Sequence, residues 1–202
     1  MQNKSLVRRT FLSGSVAALG MLAMPAPVFA LNESQARSLV DSLVGAINTV
    51  IASGKSEKAM VRDFEKIFSR YADVSVMARY SLGADGRRAS KAQLRSFTKA
   101  FQGYIARKYG RRFREFIGGQ VEVKSARKIK NGYEIRTKAI LRGQSPFDVT
   151  FLVSDKSGKD LFYNMFIEGV NLLLTEREEI GAMLDRRGGD LNALIADLKK
   201  AG

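Results

Sequence analysis

The spacing of apolar residues changes once along this chain, at Gly118 and Gly119. Before that pair they recur every three or four positions; after it they alternate as far as Val170. A period near 3.6 is a helix with one buried stripe, and a period of two is a strand with one buried face. The chain therefore has to build helices first and a sheet second, around a shared core.

The helical part starts at Asn32, a candidate N-cap, with Leu39, Val40, Leu43, Val44, Ile47, Val50 and Ile51 on one face. A second helix follows Gly54, with Val61, Phe64, Ile67, Phe68 and Tyr71 as its stripe, and a shorter one runs from Val74 through Met77 to Leu82. Gly83 and Gly86 mark a break and Ser90 can cap the next helix. Its stripe is Leu94, Phe97, Phe101, Tyr104, Ile105, Tyr109, Phe113, Phe116 and Ile117, with Gly110 as the place for a bend.

In the second part, "QVEVKSARKI" leads to Asn131-Gly132, a tight-turn dipeptide, and "YEIRTKAILR" returns. Tyr133, Ile135, Thr137, Ala139 and Leu141 share one face of that strand, and Glu134, Arg136, Lys138 and Arg142 fall mostly on the other. "FDVTFLVS" after Pro146 and "LFYNMFIEGV" after Ser157-Gly158 read as the third and fourth strands. Thr175 is expected to begin a helix through Leu184, Gly188 and Gly189 to stop it, and Asp190 to cap a last helix bearing Leu191, Leu194, Ile195 and Leu198. The expected class is α+β: a helical N-terminal half, a four-stranded, mostly antiparallel sheet covered on one face, and C-terminal helices.

Residues 1–30 read as an export label. Lys4, Arg8 and Arg9 precede an apolar run, and Val28, Phe29 and Ala30 end it as a small-residue cleavage site, so cleavage is expected after about Ala30. Arg8-Arg9 directly before Thr10-Phe11-Leu12 resembles the twin-arginine pattern, but Ser13 stands where that pattern often has a basic residue, and the general secretory route would accept the same segment. A membrane anchor fits less well, because Gly14 and Gly20 interrupt the run and Pro25 and Pro27 follow it. The remaining residues, 31–202, are long enough for one domain with its own core. They carry 31 basic against 20 acidic residues, since the label holds three basic residues and no acid. Such a balance favours anionic partners. Export takes the chain away from nucleic acid and leaves anionic lipid headgroups or an acidic protein surface.

The chain has no histidine and no cysteine. The commonest general base, the thiol nucleophile and the soft-metal sites are therefore missing, and no cofactor is expected. "SFTK" at Ser96–Lys99 has the spacing of a serine–lysine enzyme but lies in the aromatic helix without the companion signature. "GKS" at Gly54–Ser56 resembles the end of a phosphate loop, but Thr49 stands where the first glycine is required, so it reads as a helix stop and restart. Asp148 and Glu168 are the acids embedded in apolar strands. Asp148 alternates outward, whereas Glu168, if buried, needs a partner, for which Arg79 is the candidate. In "YIARKYGRRFREF" the aromatics stay on one side of a helix and the arginines fall mainly on the other, which favours a core face or pocket wall over base stacking.

Two blocks carry a resemblance. "ADVSVMARYSLGADGRRASKAQLRSFTKAFQGYIARKYG" and "FIEGVNLLLTEREEIGAMLDRRGGDLNALIADL" together resemble the MlaC family, also called the toluene-tolerance family, of periplasmic phospholipid-binding proteins. The first does so through Asp73, Ala78, Arg79, Leu82, Gly83, Arg87, Ala89, Ser90, Gln93, Phe97 and Phe101. The second does so through Ile167–Val170, Arg177 and a late Gly-Gly before the final helix. Gly86 and about Asp160 stand where the family usually has tryptophan, and Asn164 where it has aspartate.

The resemblance implies a lipid pocket between a curved sheet and the helices, no catalysis, and a shuttle between an inner-membrane ABC-transporter complex and an outer-membrane lipoprotein complex in the periplasm. Some relatives are associated with hopanoids, so another lipid is an alternative ligand. Expected lipid-binding residues are Met77, Phe97, Phe101, Tyr104, Ile105, Ile135, Ala139, Leu141, Val149, Phe151, Tyr163 and Met165. Their apolar bulk is more than one closed core face obviously requires, although a well-packed core with no cavity would give much of the same pattern. An exported basic module without an internal ligand is the competing expectation.

Overall fold

The computed structural model describes residues 31–111 and 119–202. The export label and the end of the aromatic stripe, Phe113, Phe116 and Ile117, lie outside the described residues. Four helices come first: α1 (Glu33–Ile51), α2 (Glu57–Tyr71), α3 (Val74–Leu82) and α4 (Lys91–Gly110). The strands β1 (Gln120–Ile129), β2 (Gly132–Ile140), β3 (Phe147–Ser154), β4 (Leu161–Ile167) and β5 (Val170–Asn171) follow, then α5 (Leu172–Asp185) and α6 (Leu191–Leu198). The architecture is α+β, with strands in the order β1-β2-β3-β4-β5 and every neighbouring pair antiparallel.

The helix starts follow from local chemistry. Asn32 and Ser90 each form a capping box, with Gln35 and Gln93 returning the hydrogen bond. Asp190 accepts from the N–H groups of Asn192 and Ala193. Gly54, at φ +63, separates α1 from α2, so "GKS" is a helix stop and restart, and "SFTK" lies inside α4.

Three expectations change. The sheet has five strands, not four: after Ile167 the chain turns at Glu168-Gly169, both at positive φ, and Ile167 and Phe166 pair with Val170 and Asn171. Two residues are too few to show alternation. Second, α5 begins at Leu172 rather than Thr175, because the Asn171 side chain accepts from the Leu174 N–H and acts as N-cap. Third, the β1–β2 turn is centred one residue earlier, with Ile129 paired to Gly132. Gly132 sits at φ +124, where a Cβ would lie 2.0 Å from the Val153 carbonyl oxygen; the glycine is required by the approach to β3.

The helices cover one face of the sheet. α1 packs over β1 and β2 and α5 over β4, while α4 packs against α2, α3 and α6. Asn48 of α1 pairs its side-chain amide with both the N–H and the C=O of Val121, satisfying backbone groups of edge strand β1. The α2–α3 junction is fastened to β4 by the Asp73 N–H, which donates to the Phe162 carbonyl at 2.8 Å, while the Asp73 carboxylate caps α3 through the Val76 N–H. Gly83 ends α3 at φ +58, and the Arg177 guanidinium rests on it and over the Tyr80 ring at 5.1 Å. The two sequence blocks that are far apart in the chain meet there.

Candidate functional site

Register decides which strand residues face the helices. Cross-strand partners share a face, and the helix-facing rows are Val121–Ala139–Phe147, Val123–Thr137–Val149–Ile167 and Ala126–Ile135–Phe151–Met165. A fourth row continues Tyr133–Val153–Phe162. Its spacing reflects a register shift: Leu152 pairs with Asn164 but Val153 with Phe162, which leaves Tyr163 as the extra residue of a bulge.

Between these rows and the helices lies a cavity of about 570 Å³. From the sheet it is walled by Val121, Phe147, Val149, Phe151, Phe162, Met165 and Ile167. From the helices come Leu43 and Ile47 of α1, Phe64, Ile67 and Phe68 of α2, Met77 of α3, Ile105 and Tyr109 of α4, and Leu172, Leu173 and Glu176 of α5. Leu141 and the β2–β3 connection Gln144–Ser145–Pro146 complete it together with Glu168. Gln144, Ser145 and Glu168 are exposed, so the opening lies beside the β2–β3 connection and the β4–β5 turn. The volume falls in the roughly 300–1,000 Å³ span of small-molecule sites, and the lining is overwhelmingly apolar.

Of the residues expected at a site, Met77, Ile105, Leu141, Val149, Phe151 and Met165 are brought together around the cavity. Phe97, Phe101, Ile135 and Ala139 have no exposed surface and belong to the packed core, with the Phe97 and Phe101 rings stacked at 6.0 Å. They lie nearer the N-terminus of α4 and on β2, while the cavity meets α4 only around Ile105 and Tyr109. Tyr104 is also buried, and its hydroxyl donates to Glu179 at 3.0 Å. Tyr163 is displaced by the bulge, which gives Phe162 the cavity face in its place.

Glu168 is exposed, at φ +48, the one non-glycine residue at positive φ among the described residues. Its carboxylate accepts the Asp148 N–H across the turn, and no ion pair joins it to Arg79, itself exposed. Asp148 lies on the outer face and pairs with Lys138 at 2.7 Å.

The one charged side chain in the buried wall among the described residues had no signal in the sequence. Glu176 is 2 % exposed within "LLLTEREEI". Its Oε1 accepts from the Tyr109 hydroxyl at 2.5 Å and from Lys108 Nζ at 2.7 Å, and Lys108 also reaches Glu179 at 2.6 Å. Burial would lower the Lys108 ammonium, but its hydrogen bonds to the two glutamates prevail and hold it above its ordinary value. Burial pushes the Tyr104 and Tyr109 phenols well up, and the neighbouring glutamates push in the same direction. Among the described residues no cluster of acidic side chains has the makings of a metal site.

The family model described as MlaC protein matches residues 37–200. A solved structure with the same fold is the phospholipid-binding protein from Ralstonia solanacearum, determined in complex with a phospholipid. It superposes with a TM-score of 0.70 at 17 % identity over 82 % of this chain and 95 % of that one. No curated protein sequence matches the chain.

Proposed function

Because the chain belongs to the MlaC family, we propose that it is a periplasmic carrier of phospholipid and not an enzyme. The observation that carries this reading is the 570 Å³ apolar cavity between sheet and helices, open at one polar edge. The acyl chains lie against Met77, Ile105, Val149, Phe151, Phe162 and Met165, and the headgroup stays near Gln144, Ser145 and Glu168. The structural neighbour from Ralstonia solanacearum, a phospholipid-binding protein, supports the choice of ligand.

Energetics set the manner of transfer. Exposing one acyl chain of about sixteen carbons to water costs on the order of 12 kcal/mol at roughly 0.8 kcal/mol per methylene, and a second chain doubles it. Lipid is therefore passed from mouth to mouth, with the tails dry at both ends and a small net free-energy change. Direction comes from the partners, an inner-membrane ABC-transporter complex and an outer-membrane lipoprotein complex. Residues 1–30 act as the export label, and residues 31–202 form the single lipid-binding domain.

Native mass spectrometry of the protein purified from cells tests the reading. A retained mass equal to a phospholipid, lost on denaturation, is expected. A chain that stays empty at every lipid loading overturns it in favour of a basic binding module with no internal ligand.

A further inference from the structure

The cavity has a definite capacity for carbon, and its walls are fastened against widening. A dry apolar cavity of about 150 Å³ takes one benzene ring, or roughly 25 Å³ per carbon atom. On that scale the volume of about 570 Å³ holds about 23 carbons. One chain of about sixteen carbons needs roughly 400 Å³ and fits, whereas two need roughly 800 Å³ and do not.

A larger volume would require parting elements that are tied together around the wall. The Asn48 amide joins α1 to β1 at 3.3 and 3.4 Å from the Val121 N–H and C=O. The Asp73 N–H joins the α2–α3 junction to β4 at the Phe162 carbonyl. Gln102 of α4 donates to Glu65 of α2 at 3.2 Å, and Gly110 brings the same helices so close that a Cβ there would lie 3.2 Å from Val61 Cγ2 and 3.5 Å from Phe64 Cδ1. Tyr109 and Lys108 join α4 to Glu176 of α5, and separating them would leave that buried carboxylate without its donors beside an apolar space, which is costly. Behind the wall, Phe97, Phe101, Ile135 and Ala139 are packed with no exposed surface, so the volume does not continue inward through them.

We infer that the cavity takes one acyl chain of membrane length, which narrows the cargo to monoacyl phospholipids. This rests on the lipid-carrier reading and adds a ligand class to it. Two chains of about sixteen carbons exceed the capacity by about nine carbons. Each methylene kept in water weakens binding about fourfold, so even four of them lower retention by about 200-fold relative to a lipid whose chains lie wholly inside.

The test loads the protein, purified from cells and stripped of lipid, from donor vesicles and reads the bound species by native mass spectrometry. Palmitoyl lysophosphatidylcholine is the reference. It competes in turn with didecanoyl, dilauroyl, dimyristoyl and dipalmitoyl phosphatidylcholine, all with the same headgroup, and retention is scaled to the lipid present in the donor. One lysolipid per protein chain is expected. Didecanoyl phosphatidylcholine, whose two chains together stay within the capacity, should be held comparably, and the dipalmitoyl lipid at least about a hundredfold less.

Dipalmitoyl phosphatidylcholine retained as well as the reference, or two palmitoyl lysolipids in one protein chain, would show that the walls part and would overturn the inference while leaving the carrier reading in place. Rejection of the didecanoyl lipid together with the dipalmitoyl one would mean that the site counts chains rather than volume, and overturns the capacity argument as well. Retention of no lipid of any length overturns the carrier reading and this inference together.

Discussion

At the scale of single residues, the group of Tyr104, Lys108, Tyr109, Glu176 and Glu179 ties α4 to α5 at the cavity wall. Tyr104 and Tyr109 hold their protons above the ordinary phenol value of 10.0, and Lys108 holds its proton above 10.5. Each group keeps its proton to higher pH in the folded chain than in the unfolded one. Its contribution is therefore complete below the unfolded value and is lost as pH rises through the folded one. Thermal midpoints should be flat up to about pH 9.5 on this account and then fall, and Tyr109→Phe should make the fall shallower. Near neutral pH, Tyr109→Phe removes a hydrogen bond to a charged group and should cost about 1.5–3 kcal/mol, read as a lower denaturant midpoint at unchanged slope. An alkaline profile identical to wild type would dissociate these phenols from folding. None of this network was legible in the sequence, where Glu176 is one of several acids in a helix. Its burial depends on Tyr109 and Lys108, 67 and 68 positions away.

Among elements, β4 shows how a local irregularity decides a site. Strict alternation from Met165 puts Tyr163 on the inner face; the bulge at Tyr163 turns Phe162 inward, where its ring meets Phe151 edge-on at 5.5 Å. The amphipathic helices needed no such information, since a 3.6-residue period survives small shifts of register. The sheet also separates two kinds of inward position. Val149 lines the cavity, while Ala139, paired across the strands with the lining residues Val121 and Phe147, is wholly buried in the core. Val149→Trp should fill the space proposed for acyl chains, so bound lipid should fall severalfold with the domain still folded. Ala139→Trp should instead overpack the core at a cost on the order of 1–3 kcal/mol. Comparing thermal midpoint with bound-lipid fraction for the pair distinguishes them. Normal lipid load in Val149→Trp would remove the β3 wall from the binding site.

For the whole molecule, charge and apolar volume have separate tasks. The excess of 31 basic over 20 acidic residues in 31–202 acts over a Debye length, about 10 Å at 0.1 M salt and about 3 Å at 1 M, whereas contacts inside the cavity are not screened. Association with the proposed partner complexes should therefore weaken as salt rises while lipid already inside stays bound. Surface-based binding measurements and retained-lipid mass, followed over the same salt series, check this. Equal salt sensitivity of both would mean that the ligand is held by surface charge rather than by the cavity.

The order of helices and strands, their caps and most of their faces follow from local chemistry, because period, N-cap chemistry and glycine placement act within a few residues. The two blocks around Asp73–Gly110 and Phe166–Leu198 also carried the family likeness. Which of the inward residues close into core and which stand around empty volume depends on how the elements pack on one another. Phe97 and Met165 both read as inward apolar residues, and the difference between them is whether another element packs on top. The fifth strand, the Tyr163 bulge and the buried Glu176 belong to the same class of fact. Each is fixed by a hydrogen bond or a contact with a partner that local periodicity does not register, and together they shape the cavity wall.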